Sequence, residues 1–138
     1  MKLSQRLGIT YIQTKIKLLS LISEKKAAQK AFEVFGTPYK KSVPKNPLKN
    51  SQEIELVLNN KKIAGYRWNH PQQKKALILH GFGSAAYKFE EYASLLTVKG
   101  YEILAFDAPA HGDSEGNTTN AIEYCEMIEE VMKVYGPI

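Results

Sequence analysis

The chain has a single cysteine, Cys125, in 138 residues. One cysteine excludes an internal disulfide framework and suits a reducing compartment. Long apolar runs are also missing. The most apolar stretch, IKLLSLIS at 16–23, is broken by Lys17 and two serines, whereas a bilayer span needs about 20 apolar residues. No small-residue cleavage site follows it, as a secretory leader would require. Internal repeats and low-complexity tracts are absent, and so are paired metal-ligand spacings such as H-x-H or H-E-x-x-H. These absences lead to the expectation of a cytoplasmic protein without a bound metal. What is present, 43% hydrophobic and 24% charged residues, fits a soluble globular chain of one domain at most.

Charge is unevenly distributed. Residues 1–50 carry eleven Lys and Arg against Glu24 and Glu33, while residues 51–138 carry eight against twelve acids. The basicity therefore belongs to the N-terminal third. Residues 3–35 are predicted to form one long amphipathic helix. Ile9, Ile12, Ile16, Leu19 and Ile22 step by three or four, Ala28, Ala31, Phe32 and Phe35 continue the stripe, and Gly36-Thr37-Pro38 supplies a stop. Two roles stand open for it: packing on its own domain or a partner, or peripheral contact with an anionic membrane through its lysines. No nucleic-acid-reading module is recognisable, so nucleic acid is not an expected partner. Residues 37–50, TPYKKSVPKNPLKN, hold three prolines and four lysines and read as an extended arm. The expected division is a basic helix at 1–36, an arm at 37–50 and a folded part at 51–138.

In the folded part, EIELVL and KKIAGYRW joined by Asn59-Asn60 read as a β-hairpin. Asn69-His70-Pro71 is a turn, with His70 a solvated loop residue. The pattern then becomes strand, helix, strand, helix. KALILH at 75–80 reads as a short buried strand. AYKFEEYASLLTVKG at 86–100 reads as a helix with Phe89, Tyr92, Ala93 and Leu96 on one face. YEILAFD at 101–107 is the next strand, and the helix within 119–136 is expected to bury Ile122, Cys125, Ile128 and Met132. The fold class is α/β, and the alternation implies a parallel sheet.

Sites in open parallel sheets lie beyond the carboxyl ends of the strands. Two loops leave such ends, HGFGS at 80–84 and DAPAHGDSEG at 107–116. The first could be a phosphate cradle, a metal-ligand turn, an anion hole or a plain tight turn. It lacks the spacing and lysine of the P-loop and the third glycine of the dinucleotide fingerprint. A metal site from His80, Asp107, His111 and Asp113 has no supporting ligand spacing. Neither cofactor nor metal is expected, and both histidines read as residues that tie loop backbone together.

A hairpin, then strand-HGFGS-helix, then strand-DAPAHGDSEG-helix, resembles the N-terminal half of an α/β-hydrolase over residues 52–138. The resemblance implies a serine hydrolase of carboxylic esters or related acyl bonds, with a small-molecule acyl substrate. It implies that the Phe82 N–H is one oxyanion-hole donor, with Gly81 and Gly83 giving room for close approach. His80, Asp107, His111, Gly112 and Ser114 would shape the surrounding loops. Acyl transfer places negative charge on the former carbonyl oxygen, which a preorganised N–H stabilises. Ser84 reads as a cap or loop hydroxyl. Ala110 stands where the family usually has glycine.

Gly112 to Gly116 matches G-x-S-x-G by residue type, but a nucleophile elbow needs a strand running directly into the serine and a helix leaving directly after it. Here the strand ends at Asp107 and loop residues follow on both sides, so Ser114 is expected to form loop structure. In the family the elbow follows the next strand, and Ile138 would be about its first residue. The nucleophile, acid and base, in the chain order Ser, Asp/Glu, His, would then fall outside these residues. The chain alone is expected to be inactive, with an unpaired KALILH edge prone to self-association. The alternative expectation is a non-enzymatic binding module using the basic helix and that open edge.

Overall fold

A computed structural model describes residues 3–39, 41–44 and 46–138. The chain divides into two compact units, 1–36 and 37–138.

The first unit is two helices, α1 (Leu3–Ile22) and α2 (Glu24–Gly36), rather than one. The apolar stepping runs on across the junction, but Ser23 interrupts the helix. Its hydroxyl accepts from the Lys26 N–H at 3.4 Å and caps α2. The two helices pack on each other. Ile12, Ile16 and Leu19 of α1 and Ala27, Ala31 and Val34 of α2 are buried or half-buried. Phe32 and Phe35, expected on the buried stripe, are exposed instead.

The second unit is a four-stranded sheet of order β1-β2-β4-β3, with β1 Ser51–Leu58, β2 Lys61–Trp68, β3 Lys74–Leu79 and β4 Tyr101–Phe106. β1 and β2 form the antiparallel hairpin, and β2 pairs antiparallel with β4. β3 and β4 are parallel, Leu79 opposite Phe106. Asn59 and Asn60 both adopt positive φ, 50° and 60°, as a two-residue turn matching strand twist demands. A 3-10 turn at Ala86–Phe89 leads into α3 (Glu90–Val98), and α4 spans Ala121–Tyr135. Asn120 caps α4, accepting from the Glu123 N–H at 3.0 Å.

Each face of the sheet carries its own core. Leu104 and Phe106 of β4 join Leu56, Leu58 and Ile63 beneath Met127 and Val131 of α4. Ile103 and Ala105 point the other way and join Tyr66 and Trp68 against Ala86 and Ala93. β4 therefore sits at the centre of an α/β/α arrangement. The arm packs on the same unit: Leu48 lies against the second core, and Lys49 O accepts from the Trp68 indole at 3.1 Å.

Several expected core positions differ. α4 buries Met127 and Val131, while Ile122 and Cys125 are exposed and Met132 is 38% exposed. Apolar residues occupy two adjacent flanks of this helix, and the sheet takes the flank of Tyr124, Met127, Ile128, Val131 and Tyr135. Tyr92 is likewise exposed beside the buried Ala93. β3 is half-buried rather than buried, because it lies at the edge of the sheet. His70 is not simply solvated. Its Nδ1 lies 3.0 Å from the fully buried Glu102, which also binds Arg67 Nε at 2.8 Å and the Gln72 N–H at 3.2 Å. Burial alone would raise the Glu102 carboxyl, but hydrogen bonds from His70, Arg67 and Gln72 outweigh it and hold the group at about 2.

Candidate active-site loops

The loops after β3 and β4 meet at the carboxyl ends of the parallel strands and interlock through two histidines. His80, at the end of β3, is buried. Its Nδ1–H donates to Gly81 O at 2.9 Å, and its Nε2 accepts from the Ala108 N–H of the other loop at 2.9 Å. His111, in the loop after β4, does the converse. Its Nδ1–H donates to Pro109 O at 3.0 Å, and its Nε2 accepts from the Gly83 N–H at 3.0 Å. Each ring must therefore be neutral with its proton on Nδ1, because Nε2 can accept only when unprotonated. Burial pushes the His111 imidazole below its ordinary value, which agrees with that state. The ring centroids lie 5.1 Å apart. The Tyr124 hydroxyl of α4 donates to His80 O and fixes the end of β3 from a third side.

The β4 loop is built around Asp107, which is fully buried. Its Oδ1 accepts from the Ala86 N–H at 2.7 Å and its Oδ2 from the Asp113 N–H at 3.0 Å. Burial pushes this carboxyl up, and the two backbone donors oppose the rise. Asp107, not Ser84, thus satisfies the first turn after HGFGS. Gly112 closes over the same carboxylate. A Cβ there would lie 2.0 Å from Asp107 Oδ2, at a φ of +46°, so no other residue fits. Ala110 holds a φ of +67°, a left-handed conformation that costs alanine about 1 kcal/mol relative to glycine.

Ser114 is fully buried, and its hydroxyl is engaged both as donor and as acceptor. It donates to Asp107 O at 2.6 Å and accepts from the Ala64 N–H of β2 at 2.9 Å. Its own carbonyl accepts from Lys41 Nζ at 2.6 Å. Glu115 continues the stitching, exchanging bonds with the Lys62 backbone at 2.8 Å. The hydroxyl points into the hairpin rather than into solvent, so the geometry of Ser114 is that of a loop anchor.

The β3 loop is different. Gly81 O accepts from the His80 ring and from the Ser84 N–H at 3.0 Å, which closes a tight turn. Gly83 sits at φ +74°, a conformation that favours glycine. Between them, the Phe82 N–H has no acceptor among the described residues. Phe82 is 59% exposed, its ring edge-on to His111 at 5.2 Å between centroids. A Cβ at either Gly81 or Gly83 would meet nothing within 4 Å, so packing within this chain does not explain why Gly81 is glycine. Sequence inspection marked His80, Gly81, Phe82, Gly83, Asp107, His111, Gly112 and Ser114, and the structure gathers all of them at these two loops. Tyr124, Ala64 and Lys41 were not marked. Each is at least 44 residues distant from its partner, with no local sequence pattern to reveal it. Among the described residues no group of three or more His, Cys, Asp or Glu could hold a metal ion. The acceptor nitrogens of both loop histidines are already occupied by backbone N–H groups.

No protein family description matches the chain. A curated protein of Mycoplasma pneumoniae, described as "Putative esterase/lipase 2", is 29% identical over 62 residues, covering 45% of this chain and 23% of that protein. Among solved structures, an esterase of Pyrococcus furiosus superposes with a TM-score of 0.58 at 24% identity, over 70% of this chain and 42% of its own. The thioesterase domain from the curacin biosynthetic pathway gives 0.57 at 23%, over 60% and 32%. An epoxide hydrolase of Vigna radiata gives 0.58 at 19%, over 67% and 31%. The chain thus spans about a quarter of the curated relative and less than half of each of these structures. These proteins share one architecture, and the chain has part of the α/β-hydrolase fold.

Proposed function

We propose that residues 37–138 form the oxyanion-donor side of a hydrolase acting on carboxylic esters or related acyl bonds, with the Phe82 N–H as one donor. The observation that carries this reading is the unpaired Phe82 N–H, at the carboxyl end of a parallel strand, in a turn pinned by His80 and His111. Catalysis of acyl transfer requires a donor already aimed where charge develops, so that no reorganisation accompanies the reaction. Both neighbours of Phe82 are glycine, which leaves the approach to its N–H free of side chains. The esterase and thioesterase likenesses support acyl chemistry. Ser114 is committed to backbone, and among the described residues no serine lies directly between a strand and a helix. The nucleophile therefore comes from outside these residues, and this chain alone turns over no ester.

A chimera tests the reading, with residues 37–138 replacing the matching segment of the Pyrococcus furiosus esterase. Phe82→Pro deletes the N–H and should lower kcat by about 10²–10³, whereas Phe82→Ala keeps it and should stay near the parent. Equal activity of the Pro and parent chimeras would refute the assignment. The isolated chain should show no turnover of a nitrophenyl ester. Turnover that Ser114→Ala abolishes would overturn the second half of the proposal.

A separate observation favours a second reading, that of an interaction module. The outer edge of β3 has no partner strand among the described residues. α4 leaves Ile122, Cys125 and Met132 exposed, the last two on the flank away from Glu123 and Glu126, which bond Lys61 and Asn59 beside the hairpin. Unpaired edges of this kind add strands from other chains. Sedimentation of the chain should then show a dimer that Leu79→Lys disperses, and a monomer at all concentrations would dismiss this reading.

A further inference from the structure

We propose that the N-terminal helical unit, residues 1–36, lies on an anionic phospholipid surface through α1. The proposal does not depend on the hydrolase reading. α1 carries two apolar faces. One, with Ile12, Ile16 and Leu19, is half-buried in the unit that α1 and α2 form. The other, with Leu3, Leu7, Tyr11, Leu18, Leu21 and Ile22, is exposed throughout, from 58% at Leu18 to 84% at Ile22. At helical spacing these six fall within an arc of about 100°. A groove of about 300 Å³ runs between Tyr11, Leu18 and Ile22. The α1–α2 packing thus consumes one apolar face and leaves the other in water. A contiguous exposed patch of this kind marks a binding surface.

Charge identifies the occupant. Residues 1–36 hold seven Lys and Arg against two acids, whereas residues 37–138 hold twelve against twelve. The whole net charge of +5 therefore resides in the helical unit. On the helical wheel Lys15 borders one side of the exposed stripe, and Arg6 and Lys17 border the other. Long basic side chains so placed can keep their heads at a phosphate layer while the stripe enters the acyl boundary. A second copy fits poorly, since it would bring two units of like charge together. Nucleic acid would leave the leucines in water. No helix among the described residues is long and apolar enough to cross a membrane, and α1, with three basic residues in its length, suits the interface plane.

The test is co-sedimentation of the full chain with vesicles of mixed phosphatidylglycerol and phosphatidylcholine, against vesicles of phosphatidylcholine alone. Binding to the anionic vesicles is expected, with little to the neutral ones, and it should weaken as salt rises. Arg6→Gln/Lys15→Gln/Lys17→Gln should weaken binding about a hundredfold, at about fivefold per basic residue near such a surface. Leu7→Gln/Leu18→Gln should weaken it by roughly tenfold or more, since insertion scales with buried apolar area. All five substituted residues are exposed, so helicity by circular dichroism should be retained and binding loss reads the surface itself. Absence of binding to anionic vesicles would overturn the proposal. So would binding that Leu7→Gln/Leu18→Gln leaves unchanged, which would mean charge adhesion without insertion. Self-association that the same leucine variant abolishes, in a chain that ignores vesicles, would assign the face to a second copy and also overturn it.

Discussion

The loop after β4 is tied both to itself and to its neighbours: Asp107 accepts from the Ala86 and Asp113 N–H groups, Ser114 bridges Asp107 O and the Ala64 N–H, and Glu115 pairs with Lys62. The loop after β3 is tied at both ends and open in the middle, where the Phe82 N–H meets no acceptor among the described residues. Each loop lends the other one histidine. The contrast is one of partners: the loop after β4 is stitched to β2 and to the turn before α3, while the loop after β3 carries the Phe82 N–H, for which the described residues offer no acceptor.

The contrast can be broken most severely at Gly112. Gly112→Ala would drive a Cβ into the Asp107 carboxylate, displace its two hydrogen bonds and cost about 4 kcal/mol in urea unfolding. Ser114→Ala should follow at about 2 kcal/mol, because it strands the Ala64 N–H and a lone pair of Asp107 O. The link between the loops is pH-sensitive. His111 titrates below 6.5 in the folded chain, so as pH falls below 6.5 the unfolded chain binds a proton that the folded one refuses. Stability should decline with falling pH from there, and His111→Gln should flatten that slope in unfolding midpoints. In the open loop, Gly83→Ala should cost about 1 kcal/mol for its positive φ. Gly81→Ala, with nothing near its Cβ, should cost less than about 0.5 kcal/mol. A Gly81→Ala as damaging as Gly112→Ala would erase the distinction.

Much of this was legible in the sequence because the signals are local. The Asn59-Asn60 turn, the two glycine-bearing strand ends and the switch from hairpin to strand-helix alternation all lie within a few residues of the structure they specify. The fold resemblance read from those motifs agrees with the solved structures the chain superposes on. The failures share one cause, a choice made by distant partners. α4 offers two apolar flanks of similar spacing, and only the position of the sheet selects Met127 and Val131 over Ile122 and Cys125. α1 and α2 continue one stripe, and the break at Ser23 depends on a single cap. His70 finds Glu102 across 32 residues. The loop histidines were marked as ties, but their reciprocal pairing across the two loops required the folded arrangement.

Backbone amide hydrogen exchange, read by NMR on the chain as it stands, tests the central claim most directly. The Gly83, Ala86 and Ala108 amides, bonded to His111, Asp107 and His80, should be protected. The Phe82 amide, one residue from Gly83, should exchange near the rate of an unstructured peptide. Equal protection at Phe82 and Gly83 would show that the donor is already occupied, and would contradict the account.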